Sequence, residues 1–331
     1  MALGTSNPFG RVAAVAAMVA ALLATSAWVF YADDRRPSRS ARIGTLAIEL
    51  PEGSGLGTAF LVDECGILTN FHVVFGPWYV TALRPPSHDF VGTFTLTEVT
   101  LPDGSHPTAR AIPVAWGDYL GPDRQWRRPE EDWAYLTLDR CLGAQHGYFE
   151  LREADLYEPA VDKGFTAIGY SAGRQMVDPG CVARADPAAD RKAWLHDCAL
   201  LPGDSGGPIF RGGTLTVVAL GSGYRAQSTS GACLAAPGAK NDPLRAWGRG
   251  CDNVAVPIST AIREKLWVAG TAVGVQRLLT GLGRDAGPLG AIETPQAKAA
   301  FRQIQREMGW PATGEPTHGQ HKFLTLRLAA R

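Results

Sequence analysis

The sequence predicts a mainly β body followed by a small helical appendage, and three observations carry that prediction. Short apolar runs are interrupted by turn formers throughout, with 38 glycines and 23 prolines along 331 residues, and runs of this kind read as strands. Over "EDWAYLTLD", Ala134, Leu136 and Leu138 alternate with Trp133, Tyr135 and Thr137, the period of two of a half-buried strand. From residue 271 the apolar positions instead fall at helical spacing: Val275, Leu278, Leu279 and Leu282, then Ala297, Ala300, Phe301 and Ile304. Gly/Pro breaks at "GRDAGPLGAIETP" and "GWPATGEP" separate amphipathic helices there.

The first 42 residues are separate in character. "VAAVAAMVAALLATSAWVFYA", residues 12–32, carries no charge and follows Arg11. It exceeds the apolar core of a typical signal peptide, about 7–15 residues, and nears the roughly 20 that span a bilayer. Thr25-Ser26-Ala27 offers a small-residue cleavage site, whereas Trp28 and Tyr31 would suit the aromatic belt of an anchor. A cleaved signal and a retained anchor both stand, and both export the remainder to the periplasm or the extracellular side. A membrane is a partner only if residues 12–32 stay attached. Residues 33–42, with Arg35, Arg36, Arg39 and Arg42, form a linker.

Charge and cysteines narrow the function classes. Lys plus Arg number 32 and Asp plus Glu number 32, so no excess charge draws the chain to nucleic acid. Six cysteines in an exported chain read as disulfides. Cys181–Cys198 and Cys233–Cys251 each close a Gly/Pro-rich loop, and Cys65–Cys141 follows by elimination. None stands in a C-x-x-C zinc pattern, and neither a metal nor a cofactor is expected. In "WLHDC", His196 and Asp197 read as surface polar residues beside a disulfide cysteine rather than as a metal or thiol site.

Within the β body, "IGTLAIEL" is the first strand, and "GTAFLVDECGILTNFHVVF" gives two further runs joined by a turn at Asp63 to Gly66 and ending at His72. Asp132 stands at the mouth of the alternating run. "CALLPGDSGGPIF" places Ser205 where no helix or strand forms comfortably, since glycine brings unusual backbone angles and proline fixes φ. Such a turn can expose one hydroxyl beside converging backbone amides. A serine, a histidine and an aspartate in these settings point to nucleophilic catalysis, because serine is a weak nucleophile until an oriented base takes its proton.

"TNFHVV", "DWAYLTL" and "PGDSGGPIF" resemble the catalytic signatures of the trypsin-like serine proteases, in that family's His, Asp, Ser order. The wording is similar to bacterial secreted and glutamyl-endopeptidase-like members, and "GTAFLVDECGILTNFHVV" is also similar to the HtrA proteases. The resemblance implies a chymotrypsin-type domain over 43–262, with two six-stranded antiparallel β-barrels and the site between them. It assigns Ser205 as nucleophile, His72 as general base and acid, Asp132 as its orienter, and the Gly203 and Ser205 amides as oxyanion donors. Substrates would be proteins or peptides. The specificity pocket maps to Ala199 and Leu200, then Leu220, Gly221, Ser222 and Gly223. No acidic residue lies there and Leu220 stands where acid-specific relatives carry histidine, so a small or apolar P1 side chain is expected. Cleavage after Arg42, freeing Ile43 to dock on Asp204, is not expected because Ile43 belongs to the first strand.

After a linker at 263–270, residues 271–331 resemble a peptidoglycan-binding-like three-helix domain. Gln276, Gly283, Gly287, Pro295, Gln305, Gly309 and Gly314 fall on its motif positions, while Gly290-Ala291, Glu293 and Thr294 depart from it. The resemblance implies peptidoglycan as a partner through 271–331. Two functions are thus expected of the whole chain: an exported serine endopeptidase, or a catalytically inert cell-envelope binding protein on a protease scaffold.

Overall fold

Six antiparallel strands close a barrel in the computed structural model, which describes residues 39–50, 53–76, 86–87, 90–120, 128–153, 164–185, 192–224, 253–287 and 295–317, with Gln320 and Leu324. The strands are β1 (Ile43–Leu50), β2 (Gly53–Leu61), β3 (Gly66–Thr69), β4 (Gly92–Thr95), β5 (Thr108–Trp116) and β6 (Ala134–Leu138). They run in the order β1-β2-β3-β6-β5-β4, and β4 pairs back onto β1. Alternate side chains fill the interior, among them Leu46, Ile48, Leu61, Phe94, Leu136 and Leu138.

The second sheet holds β8 (Phe165–Ser171), β9 (Arg174–Cys181), β10 (Ala183–Ala185), β11 (Trp194–His196), β12 (Pro208–Arg211), β13 (Thr216–Tyr224) and β14 (Asn253–Pro257). Its order is β10-β11-β14-β13-β12-β8-β9, and β7 (Glu150–Leu151) adds to β13 in parallel. A closed barrel beside a half-barrel is the mainly β architecture expected of the chymotrypsin fold. Among the described residues no ladder joins the two ends of this sheet. The end strands β9 and β10 are separated only by Val182, so one bent stretch of chain pairs with β8 on one side and β11 on the other.

A second apolar layer lies between the sheets and under the helix α3 (Thr260–Gly281). Ile43, Phe60 and Trp133 enter it from the first barrel, and Phe210, Leu220 and Val256 from the second sheet. Ser259 caps α3, its hydroxyl accepting from the Ile262 amide at 3.2 Å. Ile262, Leu266, Ala269 and Val273 form its buried stripe. Here the structure corrects two expectations. Residues 263–270 are not a linker, because this stripe continues through them without a break. β6 is not half-buried but buried on both faces, because α3 covers Trp133, Tyr135 and Thr137. Tyr135 donates to Asp63 Oδ2 at 2.8 Å, Arg277 donates to Thr137 Oγ1 at 3.2 Å and to the Leu138 carbonyl, and Lys265 lies 5.2 Å over the Trp133 ring.

The far end of α3 serves another core. Val275, Leu278 and Leu279 pack with Phe301 and Ile304 of the helix α4 (Pro295–Glu307). The motif residues work inside this module. Gln276 is buried and donates to the Ala286 carbonyl at 3.0 Å; Gln305 is buried, donates to the Glu315 carbonyl at 3.0 Å and accepts from the Gly314 amide at 2.8 Å. Beyond α4, Gln320 and Leu324 are helical; the rest of the expected third helix lies outside the described residues.

Cys65–Cys141 and Cys181–Cys198 are disulfide-bonded as expected, while Cys233–Cys251 and the apolar run 12–32 lie outside the described residues. Among those residues, no helix is long and apolar enough to cross a membrane. Ile43 pairs with Phe60 inside β1, and the preceding 3-10 turn Arg39–Arg42 packs its guanidinium groups over Phe210 (5.0 Å) and Phe149 (5.4 Å).

The stripe on α3 has a measurable weight. Ile262→Ala leaves a cavity among buried side chains and is expected to cost about 2–5 kcal/mol in urea denaturation. Val268→Ala, on the exposed face of the same helix, is expected to change stability by about 0.5 kcal/mol or less.

Candidate active site

His72 sits on a five-residue helix, α1 (Phe71–Phe75), that follows β3 after Asn70. Phe71, Val74 and Phe75 are drawn into the barrel core, and Val73 lies against Gly57 of β2. That leaves His72 as the half-buried residue of the turn, its side chain 28% exposed. The helix can lie this close because β2 carries no side chain at that point: a Cβ on Gly57 would stand 2.6 Å from the Val73 methyl.

Asp132 precedes β6 and is wholly buried. Its carboxylate takes three donors. The His72 amide donates to Oδ1 at 3.0 Å, His72 Nδ1 donates to Oδ2 at 2.8 Å, and the Ser222 hydroxyl donates to Oδ2. Three donors are what a buried carboxylate needs to offset lost hydration. Asn70, also buried, donates through Nδ2 to the Asp132 backbone carbonyl at 2.7 Å, locking the two strand ends together. With Nδ1–H committed to Asp132, Nε2 is the acceptor nitrogen of the neutral imidazole.

Ser205 lies in a turn that docks directly on the first barrel. Its carbonyl accepts from the Thr58 amide of β2 at 2.8 Å. Gly206, at φ +87°, presses so closely that a Cβ would fall 2.2 Å from both the Thr58 carbonyl and Thr69 Oγ1, and 3.1 Å from the Asn70 amide. Only glycine fits there. The same contact brings the Ser205 turn to the strand end that carries His72. Gly203, at φ +104°, packs against the Tyr170 carbonyl, 2.6 Å from where its Cβ would be. Among the described residues, the amides of Gly203 and Ser205 donate to no protein acceptor.

The pocket residues divide. Ala199 is held by its amide on Asp178 Oδ2 at 2.7 Å, and the Leu200 side chain lies 3.2 Å from where a Gly221 Cβ would be. Gly223 follows at a register shift of β13. Leu220 is a correction: it is wholly buried, in the apolar layer between the sheets with Phe210 and Val256. Ser222 turns its hydroxyl to Asp132. His196 is likewise not a surface residue but is buried on β11. Three polar residues of the site went unrecognised in the sequence. Asn70 and Thr58 stand inside the run that ends at His72, whereas Ser171 has no local signal, because its partner Pro202 is 31 residues away.

Asp204 ends the turn with an unusual environment. Burial pushes its carboxyl up to about 6, while the Leu201 amide on Oδ2 at 2.7 Å acts the other way. The folded chain therefore keeps a proton on Asp204 where the unfolded chain has released it, so this group's contribution to stability falls as pH rises from about 4 to 6. Burial sends His196 down to about 4. There the unfolded chain binds the extra proton, and stability rises with pH over an overlapping window. The two slopes oppose each other. Removing one exposes the other, and Asp204→Asn keeps the acceptor for Leu201. Its urea midpoint relative to the unmodified chain is expected to climb as pH goes from about 4 to 7; a gap that does not change with pH would contradict the protonation of Asp204.

Residues 57–220 match the trypsin-like peptidase domain family. No curated protein matches the chain. Among solved structures, the thermostable serine protease AL20 from an extremophilic microorganism is similar over 71% of this chain and 100% of its own, at 16% identity and a TM-score of 0.46. The protease Anisep from Arthrobacter nicotinovorans covers 70% of this chain and 95% of its own, at 15% identity and a TM-score of 0.45. A Glu endopeptidase covers 70% and 91%, at 16% identity and a TM-score of 0.46. The match to the trypsin-like peptidase domain spans the stretch that holds His72, Asp132 and Ser205.

Proposed function

We propose that the chain is an exported serine endopeptidase in which Ser205, His72 and Asp132 act together. The observation that carries this reading is the buried Asp132 carboxylate holding His72 Nδ1 at 2.8 Å, with a glycine-built serine turn docked beside it. Nε2 of His72 takes the Ser205 proton as the hydroxyl attacks the scissile carbonyl, and returns it to the leaving amine. Asp132 fixes the tautomer and stabilises the imidazolium. The carbonyl oxygen becomes an oxyanion, and the Gly203 and Ser205 amides, which donate to no protein acceptor among the described residues, are its donors. Each such donor lowers the barrier by about 3 kcal/mol in comparable sites. Water then cleaves the acyl-enzyme by the same proton route.

The P1 side chain is small or apolar on this reading. Ala199, Leu200 and Gly221 supply an apolar wall, with the Leu200 side chain packed over Gly221. Export is supported by the two disulfides, which persist in oxidising compartments, and by the uncharged run 12–32. Peptidoglycan as a partner of residues 271–331 rests on the sequence resemblance alone. The glutamines that carry the resemblance are spent on holding the module's own loops.

Fluorophosphonate labelling of the full chain, with peptide mapping of the adduct, tests the assignment. An adduct on Ser205 that disappears in Ser205→Ala is expected. A folded chain that takes no label favours the inert binding protein instead. Asp132→Asn keeps the packing but offers His72 the wrong partner, and is expected to lower kcat by about 10⁴.

A further inference from the structure

The Pro202 carbonyl and the Gly203 amide belong to one peptide unit, and the chain has no cis peptide bond among the described residues. In a trans unit the N–H points opposite to the C=O. Whatever holds the carbonyl therefore aims the amide. On Pro202 the holder is the Ser171 hydroxyl, which donates to the carbonyl oxygen at 3.0 Å. The unit that carries the Ser205 amide is held from inside the turn, by the Gly207 amide on the Asp204 carbonyl at 2.9 Å. The unit between them is fixed by the Thr58 hydroxyl on the Gly203 carbonyl at 2.8 Å.

We propose that Ser171 is a positioning residue for catalysis: through the Pro202 carbonyl, its hydroxyl keeps the Gly203 amide turned toward the substrate oxyanion. This rests on the reading of Gly203 and Ser205 as oxyanion donors. Ser171 is well placed for the task. It is 8% exposed and is the last residue of β8, where the hairpin reverses through only two residues, Ala172 at φ +49° and Gly173 at φ +75°. Two left-handed residues in succession make the tightest hairpin connection, and Ala172 is the one non-glycine residue with positive φ among the described residues. The preceding Tyr170 amide is tied to Thr58 Oγ1 at 2.8 Å. The hydroxyl is thus delivered from a short, braced strand end.

Without that hydroxyl, the unit can rotate about the permissive Gly203 φ. Rotation exchanges N–H for C=O, and a carbonyl facing a developing negative charge opposes the reaction. The loss falls on the transition state and not on substrate binding.

The test uses the full chain and a fluorogenic peptide chosen from a P1-scanning library for cleavage by the unmodified protein. Ser171→Ala is expected to lower kcat by about tenfold to a hundredfold, short of the roughly 10²–10³ for removing a donor outright, with KM within about twofold. Affinity for a peptide boronate, which places an oxygen in the oxyanion position, should fall in parallel. Ser171→Thr, which restores a hydroxyl, should recover most of kcat. If Ser171→Ala does not fold, Ser171→Thr against Ser171→Val gives the same comparison at matched size. A folded Ser171→Ala with unchanged kcat overturns the inference, as does a loss that Ser171→Thr does not recover. If the unmodified chain takes no fluorophosphonate and cleaves no peptide, the hydrolytic reading falls and this inference falls with it.

Discussion

The site exists because one carbonyl of the second sheet is seated on one amide of the first. The Thr58 amide donates to the Ser205 carbonyl at 2.8 Å, and the Thr58 hydroxyl and carbonyl take up the neighbouring contacts, on Gly203, Tyr170 and Thr69. A buried threonine so placed has every polar atom engaged, and each partner belongs to the serine turn or to a strand that supports it. Close approach is the condition for all of it. Gly206 meets the Thr58 carbonyl where a methyl group would overlap it, so the glycines of the serine turn and the bare stretch of β2 are two halves of one fit.

The same economy governs the aspartate. A carboxylate cannot be taken fully out of water unless donors replace its hydration, and Asp132 gets them from the first barrel, through His72, and from the second sheet, through Ser222. The cost of burial is thus offset only when both halves of the domain are assembled. Asp204 is the counterexample. Among the described residues it has one donor, from Leu201, its other oxygen is buried without a partner, and its carboxyl is pushed up to about 6.

Much of this was legible in the sequence, and where it failed the failures have a common cause. His72, Asp132 and Ser205 each sit in a short local pattern that determines its own turn or strand end, and the β-rich body and later helices follow from periodicity. The misreadings concern what lies on top. The alternation in "DWAYLTLD" records which residues face the barrel interior but not that α3 covers the other face. The supposed 263–270 linker was placed at a shift in composition, yet Ile262, Leu266, Ala269 and Val273 share one stripe with the body behind them. The family resemblance maps Leu220 to the pocket wall, but its side chain lies in the apolar layer between the sheets. Ser171 could not have been found locally, since its partner Pro202 lies across a hairpin and a separate strand.

The unbroken helix from Thr260 to Gly281 has a consequence for an enzyme surrounded by copies of itself. Exposed, extended connections between folded modules are where proteolytic nicking concentrates, because a protease must bind its substrate as an open strand. Here the passage from the catalytic body to the C-terminal module is hydrogen-bonded helix, with its buried stripe in one core and its far end in another. Autolysis at that junction would first have to unwind the helix and strip it from both.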